Sequence, residues 1–210
     1  MPIPTPIHLF RMTHIDNVPH ALERGLWTAA SPQANPEYVP IGDSTLIRSR
    51  EEMSVPIPPG GVLSDYIPFY FGARSPMLYV IKHGFNFVKQ TPQSDIIYLI
   101  APFDQIKASN IEWCFTDGNA RDFSSRYYNQ ESEFAHIDWE MVREQNWANT
   151  EEDMDRKRRK QAEFLVKTHV PATCLSHIIV YELEKVKFVQ QEVDRLGLTI
   201  QVAASRKHYY

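Results

Sequence analysis

The residues of this chain best placed to do chemistry lie in Arg156-Lys157-Arg158-Arg159-Lys160-Gln161-Ala162-Glu163, where five consecutive cations precede a carboxylate. From Ala162 to Lys167 the pattern alternates, which predicts a strand. Ala162, Phe164 and Val166 share one face, and Glu163, Leu165 and Lys167 share the other, with Glu163 at the mouth of the sheet. A carboxylate fixed there can stabilise a cation that develops on a substrate, while a basic loop in front of it holds a polyanion. The charges also have a simpler reading. Glu151-Glu152-Asp153-Met154-Asp155 leads straight into the basic run, and a helix over both would pair Glu152 with Arg156 and Asp155 with Arg159 at i,i+4 spacing.

Three further groups bear on chemistry. Thr13-His14-Ile15-Asp16-Asn17 is a polar turn that presents Thr13, His14 and Asn17 where short side chains and backbone can hold a ligand. Arg48 and Arg50 sit in a Pro-rich stretch from Ser31 to Pro59. A guanidinium there offers paired donors to phosphate oxygens, or simply pairs with a surface carboxylate. Tyr66, Tyr70 and Tyr79 form either a slot that stacks a nicotinamide or a base, or ordinary core filling. The histidines, from His8 to His208, lack metal-ligand spacing, which speaks against a metal hydrolase or nuclease and predicts no metal site.

Positioning these groups requires a mixed fold. Ile7 to Met12 reads as a strand. A helix follows, with Val18, Leu22 and Leu26 as its apolar stripe, Pro19 in its first turn and Gly25 closing it. Ser31 to Pro59 reads as a long ordered loop with a helical turn near Leu46 to Met53. Strands are expected at Ile67–Phe71, Ser75–Ile81, Asp95–Ile100, Ile111–Thr116, Ile178–Tyr181 and Leu198–Ala203, and Pro68 must then lie at an edge or a strand start. Helices are expected at Phe103–Ser109, Arg121–Phe134, Asp138–Trp147 with Asp138 as N-cap, and Glu184–Leu196. The result is one α+β domain spanning residues 1–210, with helices flanking the sheet.

Net charge of −4 and a pI near 6.1 exclude a protein that coats nucleic acid through overall charge. No apolar run approaches the roughly 20 residues that span a bilayer. The start, Met1-Pro2-Ile3-Pro4-Thr5-Pro6, lacks the basic and apolar regions of a signal peptide, so a cytoplasmic setting is expected. Cys114 and Cys174 are expected to be reduced and buried.

Six segments, in order along nearly the whole chain, together resemble the DarT family of DNA ADP-ribosyltransferases, the toxins of DarT/DarG toxin–antitoxin systems. They are Thr13-His14-Ile15-Asp16-Asn17, the run Pro59-Gly60-Gly61-Val62-Leu63-Ser64-Asp65-Tyr66-Ile67-Pro68-Phe69-Tyr70-Phe71, Arg74-Ser75-Pro76-Met77-Leu78-Tyr79, Phe115-Thr116-Asp117, Gln161-Ala162-Glu163-Phe164-Leu165-Val166 and the pair Tyr209-Tyr210. The resemblance implies an ADP-ribosyltransferase-like split antiparallel β-core that cradles NAD as co-substrate. The implied acceptor is a base of single-stranded DNA, thymine or, in a sister branch, guanine. It further implies a macrodomain antitoxin of the DarG type as a possible partner, and a monomer.

Carried over by position, Glu163 corresponds to the family's catalytic glutamate and Arg50 to an active-site arginine. Thr13, His14 and Asn17 fall in the NAD-binding turn, and Tyr70, Met77 and Tyr79 in strands beside the pocket. Arg156, Lys157, Arg158, Arg159 and Lys160 fall in the loop that receives DNA. The pattern departs at position 11, where many relatives carry His and this chain has Arg11, a residue suited to a phosphate of NAD. Alternatives are an ADP-ribosyltransferase acting on RNA or protein, and a non-catalytic nucleic-acid-binding module.

Overall fold

The computed structural model describes residues 2–42 and 48–210. Strand β1 (His8–His14) runs into a 3-10 turn and helix α1 (Val18–Arg24), and Leu26 then belongs to the short strand β2 (Leu26–Trp27) rather than to the helix. After the long loop come β3 (Tyr66–Tyr70), α2 (Pro76–His83), β4 (Ile96–Pro102), α3 (Phe103–Ala108), β5 (Trp113–Thr116) and β6 (Tyr127–Tyr128). The last third holds α4 (Arg156–Arg159), β7 (Glu163–Lys167), β8 (His169–Val170), β9 (His177–Val180), α5 (Leu183–Arg195) and β10 (Gln201–Ala204). The expected helical turn over Leu46–Met53 lies partly outside the described residues, since Leu46 and Ile47 are not among them.

Eight strands form one mixed sheet in the order β10-β9-β4-β1-β3-β7-β5-β6, antiparallel except for β10 beside β9. The sheet divides at its centre. β1 pairs with β4 along its full length and β3 with β7 along its own, but β1 meets β3 at Phe10↔Tyr70 alone. This division explains a correction: Pro68 sits in an inner strand, not at an edge. Its ring would cost a ladder hydrogen bond in a closed sheet. Here β1 has already parted from β3, and the Pro68 carbonyl accepts from the Arg11 side chain (Nη1, 3.0 Å) rather than from backbone.

Two other expectations are corrected. Ser75–Ile81, expected as a strand, contributes to helix α2. Ser75 Oγ accepts from Leu78 N at 3.3 Å, Pro76 fits the first turn, and Gly84 ends the helix at φ 67. Leu78 and Ile81 are buried at the three-residue spacing of a helix face. The expected helices at 121–134 and 138–147 are instead loop, strand β6 and 3-10 turns at Glu131–His136 and Met141–Arg143. Side chains cap several short turns in place of one long helix: Asp122 accepts from Ser124 N, Glu133 from Gln130 N, and Asp138, the expected cap, from Met141 N.

The core has two faces. Phe164 and Val166 of β7 pack with Phe69, Phe115 and Phe134 on one side, under α1 and α5. Leu165 points to the other side, against Leu63, Tyr66 and Cys114. Burying each such large apolar side chain contributes about 1.5–3 kcal/mol, so β7 is anchored from both sides and its first residue is rigidly placed. Cys114 and Cys174 are free and buried. No helix among the described residues is long and apolar enough to cross a membrane.

Candidate active site

Glu163 opens β7 and lies opposite Tyr70, the last residue of β3. It stands at the end of the sheet but not in the open, with 3% of its surface exposed. A carboxylate this deep needs partners for both oxygens. Oε2 accepts from Arg50 Nη1 at 3.0 Å, and Oε1 accepts from the backbone amide of Ala120 at 3.0 Å. Its own amide donates to Thr116 Oγ1 at 3.3 Å, and that hydroxyl donates to Gly118 O at 2.7 Å. The turn after β5 is therefore folded onto the carboxylate. Arg50 Nη2 is buried and has no hydrogen-bond partner among the described residues, which leaves one strong donor of the pair open to a ligand.

Two phenols border the pair. Burial, and after it the charge of Glu163, raises the Tyr70 hydroxyl well above the ordinary tyrosine range. The same two causes push Tyr127 up to about 12, and its hydroxyl donates to Ala120 O at 2.6 Å. Both phenols stay protonated at physiological pH.

The division between β1 and β3 opens into two adjoining cavities. One, of about 160 Å³, is lined by Arg11, Met12, Pro68, Tyr70 and Met77 along with Tyr38. The other is lined by Arg11, Thr13, Asn17, Trp27 and again Tyr38. Asn17 sets the shape of the second. Its Nδ2 donates to Thr13 Oγ1 (2.9 Å) and Val39 O (2.8 Å), and its Oδ1 accepts from Val39 N (2.9 Å), which clamps the Pro-rich loop over the polar turn.

Other sequence candidates sit apart. His14 lines neither cavity, and its Nδ1 accepts from Asp16 N at 3.2 Å as a cap on the turn. Tyr79 lies on helix α2, not in a strand, and its ring packs against His83, Phe85, Trp147 and Tyr210. Tyr66 is buried among Leu63 and Leu165. The three tyrosines thus form no shared aromatic slot.

The basic run is a single helical turn, α4, not an open loop. Arg158 is held by Asp117 at 2.8 Å and by Asp155 at 2.7 Å, and Arg159 by Asp138 at 2.6 Å and by Asp153 and Asp155. The i,i+4 pair Asp155–Arg159 is present. Arg156 instead donates to the carbonyls of Asn146 and Ala148. Lys160 is buried, and its Nζ donates to Ala73 O (3.1 Å) and Val142 O (2.9 Å). Lys157 is exposed and has no ion pair among the described residues. Sequence reasoning missed Thr116 and Ala120 as supports of Glu163. Ala120 acts through its backbone, which leaves no mark in a residue's identity.

Comparison with known proteins bears on the family and the fold. The family model described as "ssDNA thymidine ADP-ribosyltransferase, DarT" matches residues 10–210. A DNA ADP-ribosyl transferase of Escherichia coli O127:H6 is 31% identical over 202 residues, covering 96% of this chain and 93% of that protein. The structure of Thermus sp. 2.9 DarT in complex with ADP-ribosylated ssDNA superposes with a TM-score of 0.91 at 31% identity, covering 100% of this chain and 99% of that one. The same protein in complex with NAD+ gives a TM-score of 0.84 at 31% identity, covering 100% of both chains. A DNA ADP-ribosyl transferase-DNA ADP-ribosyl glycohydrolase fusion protein of Thermosipho africanus is 25% identical over 193 residues, covering 91% of this chain and 47% of the fusion. With a divided antiparallel sheet, a buried glutamate at its end and a family match over nearly its whole length, this chain belongs to the DarT family of single-stranded DNA thymidine ADP-ribosyltransferases.

Proposed function

We propose that this chain transfers ADP-ribose from NAD to the thymine base of single-stranded DNA, releasing nicotinamide, and that residues 1–210 form the one domain that does so. The observation that carries the reading is the Glu163–Arg50 pair at the end of a sheet whose parted strands leave cavities lined by Arg11, Thr13 and Asn17.

Breaking the nicotinamide–ribose bond sends the bonding electrons to nicotinamide and leaves positive charge on the ribose. A carboxylate held in place by Arg50 and the Ala120 amide stabilises that charge without having to reorganise. Glu163 also accepts the proton from the attacking base nitrogen as the new bond to the ribose forms, so the base leaves as a neutral adduct. Neutral Tyr70 and Tyr127 keep competing negative charge away from the site. Arg50, with one donor open, orients the acceptor or a phosphate of NAD. Arg11 faces a phosphate of NAD, Thr13 and Asn17 shape its seat, and Met77 packs beside it. His14 and Tyr79 act on the pocket from behind, as a cap on the turn and as packing for α2. Single-stranded DNA suits the reaction because a base edge in a duplex is already paired. Of the basic residues, Lys157 reaches phosphates directly, while Arg156, Arg158, Arg159 and Lys160 hold the segment that presents it.

The glycohydrolase fused to a relative supports a partner that reverses the modification, a macrodomain antitoxin of the DarG type, and with it a toxin role; a DNA acceptor is consistent with a cytoplasmic setting. Mass spectrometry of a thymine-containing oligonucleotide incubated with NAD tests the reading. A mass increase of one ADP-ribose is expected on single strands, and label appearing on RNA, on protein or on no acceptor would overturn it.

A further inference from the structure

Beyond the site stands a second cleft, of about 280 Å³, where the start of β1 meets the end of β3. Its lining includes Arg74, Arg143 and Lys207 and, among the described residues, no carboxylate, which is unusual on a chain with a net charge of −4. Lys207 is exposed and has no ion-pair partner among the described residues. Arg74 is held in the left-handed region at φ 54, a conformation that disfavours a side chain with a Cβ by about 1 kcal/mol or more and persists only where the surroundings fix it. They do fix it: Arg74 N donates to Tyr98 Oη at 3.1 Å, and Tyr210 Oη donates to Arg74 O at 2.5 Å. The constraint leaves Arg74 Nε buried with no hydrogen-bond partner among the described residues. A guanidinium with an unpaired donor and an exposed ammonium lining the same cleft are groups suited to receive a phosphate.

The cleft is joined to the reacting centre. Gly72 and Ala73, both in its lining, follow Tyr70, the residue opposite Glu163, and Ala73 O accepts from Lys160 Nζ three residues before Glu163. Half-buried Phe10 adds an aromatic edge beside the cations. His8 and His208 also line the cleft. Burial holds both imidazoles below their ordinary range, so at neutral pH they offer hydrogen bonds and not charge.

We infer that the cleft around Arg74 and Lys207 is a phosphate-binding subsite for the DNA strand, gripping its backbone to one side of the base that is modified. The inference rests on the transferase reading and adds to it where the strand runs. The alternative source of the same anion is the pyrophosphate of NAD, whose proposed seat is instead at Arg11, Thr13 and Asn17.

The test is fluorescence anisotropy of a labelled single-stranded oligonucleotide across a salt series, with the wild-type chain, Lys207→Glu and Arg74→Gln, and transfer kinetics varying each substrate in turn. Lys207→Glu should weaken binding at low salt by about tenfold. It should also make the slope of log affinity against log salt shallower by about 0.7 for each phosphate that is no longer neutralised, and raise the KM for the oligonucleotide. Arg74→Gln should act in the same direction. Exposed Lys207 decides the matter even if the Arg74 variant folds poorly. Binding and salt slope equal to wild type overturn the inference, as does a rise in the KM for NAD alone. A wild-type chain that neither binds nor labels the oligonucleotide sinks the transferase reading itself, and that outcome is visible before any variant is compared.

Discussion

Arg50 and Glu163 are 113 positions apart in the chain and 3.0 Å apart in the fold. The two side chains are 16% and 5% exposed, so each depends on the other for its charge partner. If they act as one functional unit, as proposed, removing either should disable the other. Glu163→Gln should lower the transfer rate by about 10²-fold or more, the scale of losing a preorganised electrostatic contact to a transition state. Arg50→Gln should cost a comparable factor. The double variant should be no worse than Glu163→Gln by more than about threefold, since groups acting as a unit are not additive. Single-turnover labelling of an oligonucleotide measures all three, with circular dichroism as the check on folding. Full additivity of the two losses would separate their roles.

Much of the frame follows from local signals in the sequence. The alternation over Ala162–Lys167 places β7 and both of its faces, and the turn at Thr13–Asn17 followed by Pro19 places α1. The failures share a cause. Ser75–Ile81 is apolar enough for either element, and the helix is decided by the Ser75 cap and the Gly84 stop. The segment 121–147 has helix-forming residues, but its Asp and Glu side chains cap several short turns, so no single long helix forms. The charge of Arg156–Lys160 reads from sequence as a phosphate grip. In space, acidic residues from three separate segments, Asp117, Asp138 and Asp153, have claimed two of the arginines. The Glu163–Arg50 pair is a long-range contact that no periodicity encodes, and it is legible only through resemblance.

The clamp made by Asn17 should govern the dinucleotide more than the chemistry. Asn17→Ala removes four hydrogen bonds and leaves the Val39 amide and carbonyl without their partner. A loosened loop should raise the KM for NAD by about tenfold while kcat changes less, and unpaired backbone groups should cost about 1–3 kcal/mol of stability. Steady-state kinetics and urea unfolding measure the two effects. A loss confined to kcat would place Asn17 in the chemistry instead.

Lys160 gives the protein a stability signature in alkali. Burial lowers its ammonium from an ordinary 10.5 to about 8. Between pH 8 and 10.5 the unfolded chain keeps a proton that the folded chain has released, so the contribution of this group to stability rises with pH. Below about pH 8 both states are charged, the slope vanishes and the full cost of burying the cation is present. Lys160→Met removes the titration. The wild-type stability minus that of the variant should therefore be flat near pH 7 and climb by up to about 1.4 kcal/mol per pH unit through the window. Urea unfolding at a series of pH values reads this difference, and a flat difference up to about pH 10 would contradict it.

Gly72 links the packing under the site to its activity. A Cβ at this position would lie against the carbonyl of Val142, a backbone atom that cannot swing away. That same carbonyl accepts from Lys160 Nζ at 2.9 Å, three residues ahead of Glu163. Gly72→Ala should thus cost about 1–3 kcal/mol through overpacking and should also lower transfer, because the displaced Val142 carbonyl moves the Lys160 anchor. Gly60→Ala is the contrasting variant. At φ +71 and with nothing within 4 Å of its Cβ, it carries only the backbone cost of about 1 kcal/mol and touches no support of Glu163. Denaturant midpoints and labelling rates for the two variants should separate. Equal labelling by Gly72→Ala and Gly60→Ala would mean that the Val142 carbonyl does not transmit strain to the carboxylate.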